Sequence, residues 1–169
     1  MSRLPRLFEP LNVGSRTARN RIVSTAHATG YDQDALLTER YLRYHARKAA
    51  GGAGLVMTFG SASVHQGSTA SYGSMRLWDP ANEPLLRDLA GRAHEHGALI
   101  MSQATHMGRR GNSLTSGMAL QAPSALPEPV HREIPHVLSV AEIEEIVRAR
   151  LPDALLRPAK CAPARQAAR

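Results

Sequence analysis

One cysteine, Cys161, stands in the 169 residues. It excludes an internal disulfide and a four-cysteine iron–sulfur site within this sequence. Aromatic residues make up only 4%, so the stacking platforms that hold single-stranded nucleic acid are not evident. No apolar run reaches the roughly 20 residues of a membrane helix, and the opening MSRLPRLFEP has no apolar signal core. The chain therefore reads as cytoplasmic, with no membrane partner. Charge of one sign is scarce over most of its length. The net charge is +7, which by itself suggests a nucleic-acid partner. Yet Arg148, Arg150, Arg157, Lys160, Arg165 and Arg169 stand against Asp153 alone in the last 22 residues. The body before them is nearly balanced, so a nucleic-acid partner is not expected.

What is present is an alternation of short apolar runs and helical stretches, the pattern of a parallel α/β sheet. Residues 11–13, Gly14-Ser15 and Thr17 onward read as a small hairpin, and residues 22–26 as the first buried strand. After a polar loop through Tyr31 and Asp34, Thr38 caps a helix over residues 39–50 with Tyr41, Leu42, His45 and Ala49 on one face, stopped by Gly51-Gly52. Residues 55–59 are a second strand, followed by a Gly/Ser-rich loop. Asn82 and Pro84 open a helix with Leu85, Leu86, Leu89, Ala90 and Ala93 inward, ended by His96-Gly97, and residues 99–103 are a third strand. Residues 105–137 are too long for a plain connection, as functional loops are. Ser139 and Glu142 then form a capping box, with Leu138 and Ile143 spaced as a hydrophobic staple, and the helix should carry Ile143, Ile146 and Val147 inward. Pro152, Pro158 and Pro163 follow. The expected division is a body, 1–147, and an aberrant Arg/Ala/Pro-rich basic tail, 148–169, of the kind a frame change or premature interruption produces.

Three of the runs break into small, polar or His-containing sequence: NRIVSTAHATG from Asn20, GGAGLVMTFG from Gly51 and HGALIMSQATHMGRRG from His96. Together with LFEPLNVGSRTARNRIV before them, and APSALP and LSVAEIEEIV after, the chain resembles the N-terminal part of the old yellow enzyme or NADH:flavin oxidoreductase family. The branch that holds 2,4-dienoyl-CoA reductase and trimethylamine dehydrogenase is the nearer likeness. The resemblance implies the first three β/α units of a (β/α)₈ TIM barrel with an N-terminal hairpin, about 250 residues being usual for the whole barrel. It also implies FMN as cofactor, NAD(P)H as reductant, and a small-molecule substrate, either an activated alkene or a methylamine.

Residue by residue, the resemblance puts Ala26, His27 and Ala28 at the end of the first strand against the flavin ring. Ala28 departs from the Thr, Cys or His common there. Gly60 matches the glycine after the second strand, and Gln103 the glutamine whose amide pairs with the ring's pyrimidine edge through both donor and acceptor. The blander reading of Gln103 is a polar strand end. His106 and Arg109, in HMGR, match the family's HxGR and line the substrate pocket or anchor the long loop. His27 has no neighbour at ligand spacing, so no metal is expected. His65, His94, His96, His131 and His136 carry no assigned role. The family's later-strand histidines, its proton donor and its phosphate site correspond to sequence beyond Val147. The chain is therefore expected to be inactive alone. The alternative is a non-enzymatic fragment whose open sheet edge pairs with a second copy or another chain.

Overall fold

The structure is a computed structural model that describes residues 4–68 and 75–148. The expected basic tail, apart from Arg148, and Cys161 lie outside the described residues. After a 3-10 turn at Pro5–Phe8, β1 (Leu11–Val13) and β2 (Arg16–Ala18) pair antiparallel around Gly14, whose φ of 58° favours glycine. The expected first strand shrinks to β3 (Val23–Ser24), with the Ile22 carbonyl just before it accepting from the Gly54 and Leu55 amides.

The expected polar loop contains a hairpin, β4 (Asp32–Gln33) and β5 (Leu36–Leu37). Its two turn residues, Asp34 and Ala35, both have positive φ, 52° and 63°, as a two-residue hairpin turn requires. Helix α1 (Glu39–Ala50) begins where Thr38 Oγ1 accepts the Tyr41 amide, and it buries Tyr41, Leu42, His45 and Ala49, the face read from spacing. Gly52, at φ 107°, turns the chain out of it.

Strand β6 (Leu55–Ser63) outruns its expected end at Phe59. Gly60 to Ser63 are not a loop: Ala62 and Ser63 pair again with β7 (Leu99–Thr105) after an irregularity, and Ser63 bonds to both Met75 and Leu77. Helix α2 (Glu83–Glu95) lies between them, burying Leu86, Leu89 and Ala93. Asn82 does not cap it by side chain. Fully buried, Asn82 donates to the carbonyls of Ala35 (3.0 Å) and Arg76 (3.1 Å) and accepts from Leu37 N–H (3.3 Å). The order β3-β6-β7 is parallel throughout. A core of Leu37, Tyr41, Leu42, Phe59, Leu77, Leu86 and Leu89 sits between this sheet and the two helices.

The long excursion after β7 is ordered by α3 (Ser113–Ser116) and by β8 (Gln121–Ala122), which pairs parallel with β9 (His136–Val137). Buried Glu128 accepts the amides of Val130 (2.6 Å) and His131 (2.7 Å) within it. Helix α4 (Val140–Arg148) carries the expected capping box: Ser139 N–H donates to Glu142 Oε2 at 2.7 Å and the Glu142 amide to Ser139 Oγ at 3.3 Å. The expected inward face is not realised. Ile143 is 40% and Val147 79% exposed, and no residue of α4 is buried, because no described element packs over its apolar stripe. Among the described residues, no helix is long and apolar enough to cross a membrane.

Candidate functional site

The C-terminal ends of β3, β6 and β7 lie side by side, and there β6 and β7 fall out of step. Thr58 pairs with Ser102 and Ala62 with Ala104, so Phe59, Gly60 and Ser61 stand opposite Gln103 alone. Phe59 takes a φ of 61°. Its amide leaves the ladder and donates to Tyr41 Oη at 2.9 Å. Gly60 is pressed on the backbone of the β3 end: a Cβ there would lie 2.3 Å from Ala28 N and 2.8 Å from His27 C. The glycine is therefore required first by the chain's own backbone. Gly60 O in turn accepts from Gln103 Nε2.

Of the residues singled out from sequence, His27, Ala28 and Gly60 line one cleft, together with Asp32, Leu37, Tyr41, Phe59 and Met75. Gln103 joins them through its bond to Gly60. Ala26 is half-buried just before them. The His27 ring turns back onto α1: Nδ1 lies 3.1 Å from Thr25 O and Nε2 2.7 Å from Tyr44 Oη. Since a carbonyl only accepts, Nδ1 carries the proton and Nε2 accepts from the tyrosine. His27 thus offers its backbone, not its ring, to the site.

His106 and Arg109 belong to a different cluster. His106 Nδ1 accepts the Gly108 amide at 3.2 Å, and its ring stacks on His65 with centroids 6.3 Å apart. Its Nε2 then carries the hydrogen and, like Gln121 Oε1, is buried without a hydrogen bond of good geometry among the described residues. Donor and acceptor are complementary and lie near each other. Burial lowers the His106 pKa, His65 adds to this, and the nearby Gln121 opposes it. Ser68 Oγ accepts the Met107 amide at 2.6 Å. Arg109 is exposed in the turn Gly108–Arg110. The His65–His106 stack and the Ser68–Met107 bond tie the start of the excursion to the chain that follows β6; neither involves Arg109.

Sequence reasoning missed Tyr41, Phe59, Asp32 and Met75 in the cleft. Only the Phe-Gly step at the end of an apolar run hinted at an irregular strand. Below the cleft, His45 is 1% exposed, packs against Tyr41 (4.6 Å) and Tyr44 (5.1 Å), and has no partner for either nitrogen among the described residues. Burial chiefly, with Lys48 and His27, lowers its pKa to about 4.

This arrangement can be set beside known proteins. Residues 6–154 match the NADH:flavin oxidoreductase / NADH oxidase family. The chain belongs to that family. It is 40% identical over 146 residues to an N,N-dimethylglycine/sarcosine dehydrogenase from Chromohalobacter salexigens, covering 83% of this chain and 21% of that protein. It is 37% identical over 143 residues to a multifunctional alkene reductase/demethylase of Caballeronia cordobensis, covering 84% and 21%. The solved old yellow enzyme homologue from Zymomonas mobilis superposes with a TM-score of 0.71 at 30% identity, over 86% of this chain and 43% of that one. The family member thus spans about a fifth of the length of these two curated relatives.

Proposed function

We propose that residues 1–147 form the first three β/α units of a (β/α)₈ barrel in a flavin-dependent NAD(P)H oxidoreductase, with the ends of β3, β6 and β7 taking one edge of the FMN ring. The observation that carries this is Gln103. With Nε2 held by Gly60 O, it keeps Oε1 and one N–H for the alternating acceptors and donors of a flavin's pyrimidine edge. The backbone of Ala26, His27, Ala28 and Gly60 provides the flat wall beside it, so the donor set fits the group. FMN, when bound, supplies hydride transfer between NAD(P)H and an activated alkene or an N-methylated amine. The protein's residues orient and hydrogen-bond the ring, while His106 holds the start of the excursion against His65 and Arg109, exposed in the turn beside it, is left for the substrate side. A phosphate site at later strands is the usual anchor in such barrels.

The 169 residues are therefore expected to bind FMN weakly and to show no steady NAD(P)H turnover. Joining residues 1–147 to the C-terminal portion of a relative should restore both, and Gln103→Ala in that fusion should weaken FMN by about 1–3 kcal/mol. A fusion that folds without flavin would overturn the flavin reading. Tight stoichiometric flavin with turnover from the 169 residues would overturn the one-edge reading.

A second reading, a non-catalytic piece that pairs through its sheet edge, is favoured by one observation. Val23 on β3 and Met101 on β7 are 41% and 40% exposed, and both strands have a free edge among the described residues. A flavin-free dimer in light scattering would support it.

A further inference from the structure

The geometry points to Tyr41 as a positioning residue for Gln103, acting from α1 through the bulge in β6; the final step, to the cofactor, rests on the flavin reading above. Three residues of β6 face one residue of β7 at this place, so the bulge must be held by something other than the ladder. Phe59 stands in the left-handed region, which a residue with a Cβ disfavours. Two contacts hold it there. Tyr41 Oη accepts the stranded Phe59 amide at 2.9 Å, and the Tyr41 ring stacks on the Phe59 ring at 5.5 Å and 12°. Tyr41 and Phe59 are 3% and 4% exposed, so little solvent reaches the pair. Burial also raises the Tyr41 pKa, which keeps the phenol neutral.

The consequence reaches Gln103 by way of Gly60. With Phe59 fixed on one side and the His27–Ala28 backbone on the other, Gly60 has one available orientation, and its carbonyl meets the Gln103 carboxamide. A carbonyl cannot donate, so the amide nitrogen must face it and Oε1 must face outward. Tyr41 thereby decides which atom Gln103 presents to a ligand. Removing the hydroxyl leaves the Phe59 N–H buried and unpartnered. Relief comes from re-setting the Phe59 and Gly60 dihedrals, which swings the carbonyl away and frees the carboxamide to rotate.

The test is Tyr41→Phe in the 169-residue chain, which keeps the ring stack. Without ligand, the NMR signals of the Gln103 carboxamide should move to those of a free glutamine, and Phe59 amide exchange should accelerate. With FMN, the affinity should fall about five- to 150-fold, the cost of leaving polar partners unpaired. Gln103→Ala should lose as much, and the double variant no more than either alone, because both changes remove one interaction. Leu42→Ala separates positioning from general weakening: it should destabilise α1 yet leave the Gln103 signals in place. Unchanged Gln103 signals in Tyr41→Phe, equal movement in Leu42→Ala, or additive losses of FMN affinity would overturn the proposal. If no form of the chain binds FMN, the flavin reading falls, and the ligand-free signals still decide the role of Tyr41.

Discussion

Helices α1 and α4 begin with comparable care and end in opposite circumstances. Thr38 Oγ1 receives one amide at 3.4 Å, while Ser139 and Glu142 satisfy each other reciprocally; by local chemistry α4 is the better-started helix. Yet α1 buries four residues and α4 none. A cap fixes where a helix starts, at about 1 kcal/mol, whereas burial of an apolar face, about 0.8 kcal/mol per methylene, fixes whether it is held. The difference is that α1 lies over β6 and α2, whereas the stripe of α4 has nothing described upon it.

That contrast can be broken by substitution. The largest effect is expected at Leu89, 1% exposed in the core under α2: Leu89→Ala should cost about 3 kcal/mol in urea unfolding. Gly60→Ala follows, at about 2 kcal/mol, since its Cβ must displace the Ala28 backbone. The same variant should weaken FMN, which an ordinary core lesion would not do selectively.

A further effect depends on pH and, by about pH 4, reaches about the size of that at Leu89. His45 is neutral when folded, with a pKa of about 4 against 6.5 when free. The unfolded chain therefore binds the extra proton below pH 6.5, and stability should decline from there toward pH 4 by at most about 1.4 kcal/mol per pH unit. His45→Phe should flatten that part of the stability profile; an unaltered slope would place the proton uptake elsewhere. The smallest effect belongs to α4. Val147→Ala should change stability by no more than about 0.5 kcal/mol, and a loss comparable to that at Leu89 would mean the stripe is covered in solution.

How legible these features were follows from how local they are. The buried face of α1 was readable residue for residue, because 3.6-residue spacing needs no partner to be recognised. The glycine stops and the box at Ser139 were readable for the same reason. The extension of β6 beyond Phe59, the left-handed Phe59 and the turned carboxamide of Gln103 were not. The first and last are decided by contact between strands some 40 residues apart and the second by Tyr41 on α1, and nothing in Thr58-Phe59-Gly60 announces where β7 will resume the ladder. Asn82 misled for a related reason: a good capping residue in sequence was drawn inside by two backbone groups of the distant hairpin and one of its own approach at Arg76.

Asn82 also carries a consequence for biosynthesis. Its carboxamide clasps the hairpin at Ala35 and Leu37, residues made 45 to 47 positions earlier. The hairpin therefore cannot gain these bonds on the ribosome until the opening of α2 has emerged. The first β/α unit of this chain is not a free-standing step of folding. It is completed retroactively, so a translational pause before Asn82 would expose an unfinished hairpin, whereas one after α2 would not.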